Sequence, residues 1–141
     1  MIRTFLDAGI LIYGGRGKKA FSDEVLNLLD DADREFISSL FVKLEVLPKA
    51  VHFTQKAEAD FYREYFSIVQ AMPHNYDDII VKAQWFAEKY GLGALDALHI
   101  ATAVQAGVAE FITTEGLTKP LFRVTEIKVV RLQSLVEVQG N

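Results

Sequence analysis

The chain carries 141 residues, half of them hydrophobic and 24% charged, with 15 Lys+Arg against 19 Asp+Glu for a net charge of −4. That composition excludes an intrinsically disordered chain, and the length fits one domain of about 100–200 residues with a sizeable core. Without cysteine there is no disulfide framework, thiolate metal site or cysteine nucleophile, and the acidic balance argues against broad electrostatic adhesion to nucleic acid or anionic membrane.

Residues 2–7 form a short apolar run ending in an acid and predict a strand. ILIYGG follows, and with the glycine-rich basic stretch 14–19 it predicts a turn and then a short helix. After Ser22, Val25, Leu26, Leu28 and Leu29 recur at helical spacing, and REFISS predicts a second buried strand. Residues 40–51 predict a helix that Pro48 breaks or kinks. Thr54 is expected to cap a helix over 55–72, and Asn75 one over 76–90 closed by Gly91. These two are expected to form a helical hairpin, about 54–91, inserted between sheet strands. Beyond Gly93 the alanine-rich ALDALHIATAVQAG predicts a helix ending at Gly107, and VAEFITT and IKVVRL predict two more strands before a short tail. The whole reads as a single α/β domain over 1–141 with a mostly parallel sheet. No apolar stretch approaches the roughly 18 residues of a membrane helix, and Asp7 interrupts the N-terminus before a signal-peptide core forms. The expectation is a cytoplasmic protein with no membrane partner.

Four acids occupy related places in this map. Asp7 ends the first strand, Glu45 lies in the helix after the second, Asp96 in the first turn of the alanine-rich helix, and Glu115 just after FITT. In open parallel sheets, ligands bind in the crevice at the carboxyl ends of the strands, where such residues converge. Gathering carboxylates there is unfavourable unless a cation offsets their charge, and an oxygen-only donor set suits Mg²⁺ or Mn²⁺. Singly, each acid also reads as a capping or solvated residue. The apolar neighbours Leu44 and Val46 of Glu45, and Leu95 and Ala97 of Asp96, favour the joint metal site.

At these residues the chain resembles the PIN-domain family, and within it the VapC-type ribonuclease toxins. FLDAGILIY resembles the opening strand with its acid, Asp7; FISSLFVKLEV the block with Glu45; LDALHIATAVQAG the block with Asp96; and FITTEGL the Thr-x-acid block, here Thr113, Thr114 and Glu115. The resemblance implies a three-layer α/β/α fold and a Mg²⁺- or Mn²⁺-dependent endoribonuclease that hydrolyses RNA phosphodiesters, with Asp7, Glu45, Asp96 and Glu115 as metal ligands and catalytic acids. It also implies a homodimer and a cognate antitoxin as partners. Two departures stand out: Ala8 and Gly9 follow Asp7 where the family carries hydroxyl or amide side chains, and Glu115 replaces an aspartate. They motivate a competing reading, a weak or inactive PIN-like module that binds RNA or protein.

His99, three residues after Asp96, shares its helix face and is expected to hydrogen-bond beside the acids, with Thr113 as a second supporting residue. GGRGKK fails the phosphate-loop pattern, since Ile12 stands where its first glycine belongs and Lys19 where Ser or Thr belongs. Arg16, Lys18 and Lys19 remain candidates for RNA-backbone contacts, as do Lys119 and Arg123, against the plainer reading of a solvated loop. Phe61, Tyr62, Tyr65, Phe66 and Trp85 recur at helical spacing and read as core or a dimer face in preference to base-stacking residues.

Overall fold

The computed structural model describes residues 1–17 and 19–133, with the side chains of 19 and 20 left aside. Four short strands, β1 (Ile2–Leu6), β2 (Arg34–Ile37), β3 (Glu110–Thr113) and β4 (Lys128–Arg131), pair in the order β2-β1-β3-β4, all parallel. A parallel sheet is covered on both faces, so its inner strands read as continuous apolar runs instead of alternating. Phe5, Leu6, Phe111 and Ile112 are accordingly inaccessible to solvent. Phe5 and Phe111 are partners in the β1–β3 register, and their rings stack with centroids 5.3 Å apart.

Six helices flank the sheet: α1 (Ala8–Arg16), α2 (Lys19–Leu29), α3 (Leu40–His52), α4 (Lys56–Ile68), α5 (Tyr76–Tyr90) and α6 (Ala94–Gln105). The arrangement is the three-layer α/β/α fold with a parallel central sheet. A 3-10 turn, Pro120–Arg123, precedes β4. Among the described residues no helix is long and apolar enough to cross a membrane.

The structure departs from the sequence-based expectations at five places. ILIYGG is not a turn, because α1 starts directly after Asp7 and runs through both glycines. A Cβ on Gly14 would lie 2.7 Å from Phe61 Cζ, and one on Gly15 2.7 Å from Tyr62 Cε1, so glycine here admits the α4 rings and does not break the helix. The chain turns instead at Gly17, in the left-handed region at φ 65°, and α2 begins a turn before Ser22. Pro48 does not end α3; the carbonyl its missing N–H would have met belongs to Leu44, which is 69% exposed and within reach of water.

Thr54 does not cap α4. Its own backbone is left-handed at φ 53° and its hydroxyl donates to the Phe53 carbonyl at 2.7 Å, while Gln55 stands at the cap position. Helix α4 stops at Ile68, and the following residues, expected to be helical up to Met72, are extended. The Gln70 N–H donates to the Phe36 carbonyl at 2.7 Å and the Ser38 N–H to the Ala71 carbonyl at 3.1 Å, with Ala71 bridging Ile37 in parallel. The residue before a proline is disfavoured from the helical region, and the open edge of β2 offers these residues a better set of hydrogen bonds. Finally, α4 and α5 do not close on one another as a hairpin: α4 packs on α1 and α3, α5 on α6. Tyr62, Tyr65 and Phe66 are the buried face that α4 turns inward, whereas Trp85 on α5 is 51% exposed, with the Lys89 ammonium 4.6 Å from its ring.

Candidate functional site

The carboxyl ends of β1 and β3 lie side by side in the middle of the sheet, and each delivers an acid. Asp7 leaves β1 in an extended conformation and caps α1. Its Oδ1 accepts the Ala8 N–H at 2.8 Å and its Oδ2 accepts the Thr113 hydroxyl at 2.9 Å. The same hydroxyl accepts the Glu115 N–H at 3.1 Å. One threonine at the end of β3 thus orients the first acid and folds the turn that presents the fourth.

Asp96 stands in the first turn of α6, where the helix dipole favours a negative charge. Its carboxyl is nevertheless pushed up to about 6: partial burial raises it, and so do the carboxylates of Asp7, Glu115 and Glu45, against the pull of His99. Burial likewise holds Asp7 above the ordinary carboxylate range; the His99 ring, the Thr113 hydroxyl and the Ala8 N–H draw it down, and Glu45 adds to the rise. Four acids from four separate elements therefore share one electrostatic site. Glu45 reaches it from α3, where its Oε1 accepts a hydrogen bond from His99 Nε2. His99 is itself wholly buried, its ring beside that of Phe5, and its Nδ1 has no hydrogen-bond partner among the described residues.

The structure thus brings Asp7, Glu45, Asp96, Glu115, Thr113 and His99 together at one end of the sheet. Among the described residues no three His, Asp or Glu side chains are grouped closely enough to hold a metal ion as they stand. Glu45 is turned to His99 and Asp7 to Thr113 and Ala8, so the acids are held by neighbours and not by one another. The donor set is all-carboxylate with uncompensated charge. That chemistry fits a hard divalent cation such as Mg²⁺ or Mn²⁺, which would lower the cost of keeping four carboxylates ionised together.

The basic candidates fare differently. Arg16 is engaged with Glu58, Nε to Oε1 at 3.3 Å, and Arg123 donates to the Tyr90 carbonyl at 3.0 Å, which ties it to the end of α5. Lys119 is exposed where the 3-10 turn begins. Lys18 and the Lys19 side chain lie outside the described residues.

Two features escaped the sequence reading. Gly9 is required by a close approach, since a Cβ there would lie 2.5 Å from Thr114 Oγ1. A cleft of about 530 Å³ also opens beside Glu45 and is lined by Ile12, Arg16, Lys49, Phe53 and Tyr62 among others. Neither Lys49 nor Phe53 stands out in the sequence by itself.

The fold is shared with solved structures of low sequence identity. The chain is similar to a VapBC from Salmonella typhimurium bound to DNA, at TM-score 0.70 and 14% identity, over 94% of this chain and 99% of that one. It is similar to VapBC-1 from nontypeable Haemophilus influenzae, at TM-score 0.67 and 17% identity, over 94% and 99%. A toxin–antitoxin complex from Klebsiella pneumoniae gives TM-score 0.65 and 22% identity, over 89% and 98%. No curated protein matches. The family model of the PIN domain matches residues 4–116, a span that runs from β1 through the loop after β3 and contains all four acids. The chain belongs to the PIN domain family.

Proposed function

We propose that this chain is a divalent-metal-dependent endoribonuclease that hydrolyses RNA phosphodiester bonds and serves as the toxin of a toxin–antitoxin pair. PIN domains are in general nucleases, which supports hydrolysis, and the similarity in fold to the Klebsiella pneumoniae toxin–antitoxin complex supports an antitoxin partner. The observation that carries the reading is the gathering of Asp7, Glu45 and Glu115 around the half-buried Asp96, whose carboxyl is raised to about 6 first by burial and then by these neighbouring charges. These four would hold Mg²⁺ or Mn²⁺. A bound cation would supply positive charge against the phosphoryl oxygens and make a water molecule more acidic.

The chain's own contribution is orientation. Thr113 and the Ala8 N–H fix both oxygens of Asp7, and His99 fixes one oxygen of Glu45. Beneath them, Phe5 and Ile112 are sealed from solvent, so water and substrate approach only from the strand ends. Groups held this way lose little freedom when a substrate arrives, which is where positioned sites gain rate. Partnership with an antitoxin and with a second copy of the chain belongs to the same reading.

The test is cleavage of RNA by the purified protein with and without Mg²⁺ or Mn²⁺, beside the Asp7→Asn variant, which keeps the helix cap. Cleavage that needs the cation and vanishes in the variant is expected; equal cleavage by both proteins, or none by either, would sink the reading.

A further inference from the structure

The cleft beside Glu45 holds a strip of three chemistries. Glu45 and Lys49 on α3 and Phe53, which caps its C-terminus, succeed one another at four-residue spacing, and all three line the same cavity of about 530 Å³. Residues four apart on a helix are neighbours, with Cβ atoms about 5–6 Å apart. A carboxylate of the acid cluster is therefore followed by an ammonium and then by an aromatic ring.

Lys49 and Phe53 are uncommitted, while Glu45 keeps its hydrogen bond to His99. Glu58, the other acid of the cleft, is matched by Arg16 at 3.3 Å and accepts the Tyr62 hydroxyl at 2.6 Å. Lys49 is exposed and has no ion-pair or side-chain hydrogen-bond partner among the described residues. Phe53 is 63% exposed, and its described ring contact is an edge-on one with His52, centroids 4.8 Å apart at 83°. A single exposed phenylalanine is ordinary, and a lysine in a last helical turn is explained by the helix dipole. Neither explanation accounts for both lining one cavity together with Glu45.

We infer that this cleft is a subsite for the nucleotide flanking the cleaved phosphodiester of a single-stranded RNA, with Lys49 on a phosphate and Phe53 stacked on a base. The inference rests on the nuclease reading above. Its charge pattern fits that occupant: a bound cation would offset Glu45 where phosphate must come closest, and Lys49 carries positive charge along the path leading away, the Arg16 charge being matched by Glu58. Its size falls within the range of about 300–1,000 Å³ typical of small-ligand sites, so one nucleotide can enter. Aromatic stacking is indifferent to base identity, which predicts a contact that adds affinity without choosing sequence.

The experiment measures binding and not turnover. A labelled single-stranded oligoribonucleotide is titrated by fluorescence anisotropy in EDTA, so that no strand is cut, across a series of salt concentrations. Phe53→Ala is expected to weaken binding about 10-fold at every salt concentration, and Phe53→Tyr to restore it. Lys49→Gln is expected to weaken binding at low salt and to flatten the slope of log K against log salt by about 0.7, the share of one phosphate contact on a single strand. Parent-like affinity and slope in both variants would overturn the subsite while leaving the nuclease reading standing. A parent protein that binds no RNA at all in EDTA would overturn the subsite, whereas the nuclease reading stands or falls separately on cation-dependent cleavage. Unchanged RNA affinity with altered sedimentation of the Phe53→Ala protein would give the cleft to a protein partner and overturn the inference as well.

Discussion

His99 Nε2 donates to Glu45 Oε1 across the contact between α6 and α3, and the ring that does so is wholly buried. Because an ionised Glu45 offers only acceptors, the proton of that bond belongs to Nε2, and among the described residues Nδ1 has no partner. The ring therefore spends its one directed bond on holding an acid of the site. His99→Leu is expected to lower Mn²⁺ affinity and RNA cleavage by about 10–100-fold, the usual effect of losing such a supporting bond. The amide of His99→Gln reaches the same point and should recover most of both. Equal losses in the two variants, by calorimetry and cleavage assay, would show that the packing of the ring matters and its hydrogen bond does not.

Asp96 sets a pH dependence whose sign can be worked out. Its carboxyl titrates near 6 in the folded protein and at 3.8 when unperturbed, so between these values the folded state keeps a proton that the unfolded state has released. Stability of the metal-free protein should therefore fall as pH rises from about 4 through about 6. Asp96→Asn removes the charge and should melt higher than the parent at neutral pH in EDTA, while losing the rise in melting temperature that Mn²⁺ gives the parent. Mn²⁺ affinity of the parent, followed by calorimetry, should drop as pH is lowered through 6, because protons compete for the same oxygens.

Thr113 joins the two acids on adjacent strands through one hydroxyl. Thr113→Val keeps shape and β-branching but removes a hydrogen bond to a charged group, which costs about 1.5–3 kcal/mol. A lower melting temperature and a cleavage rate reduced about 10–100-fold are expected, with Thr113→Ser close to the parent. A Val variant with full activity would show that Asp7 is held well enough by the Ala8 N–H alone.

Gly9 and Thr114 should be coupled. Gly9→Ala places a methyl where Thr114 Oγ1 now lies, 2.5 Å from the new carbon, and so should destabilise the protein. Thr114→Ala removes that oxygen, and the double variant should regain most of the lost melting temperature. Additive losses in the double variant would mean that the strain lies elsewhere in α1.

Much of the fold and of the site is legible in the sequence, and the exceptions share a cause. The strands at β1 and β3 announce themselves through the buried pairs Phe5–Leu6 and Phe111–Ile112, and Asp7, Asp96 and Glu115 are found by their position around the ends of those segments. Gly14 and Gly15 mislead because a glycine pair signals a turn locally, whereas here the demand comes from Phe61 and Tyr62 in a helix some 45 residues further along. Thr54 has the chemistry of a helix cap, but its backbone is left-handed where α3 ends and so cannot begin α4. Helical propensity carries the expected α4 on to Met72, where an unpaired strand edge competes for the same residues and wins. Lys49 and Phe53 carry no signal of their own, since a lysine and a phenylalanine at a helix end are ordinary, and only the cleft they share with Glu45 relates them.

The short stretch that lies along β2 has a consequence for assembly. A free strand edge invites a second chain to add to the sheet, and short edge segments that are already paired are a common defence against this. With Gln70 bonded to Phe36, and Ser38 to Ala71, the backbone at the carboxyl end of β2 is saturated from within the chain. A peptide adding to β2 at that point would first have to displace this stretch. A protein that docks on this side of the sheet is therefore expected to be recognised by surface shape and charge more than by main-chain hydrogen bonds to β2.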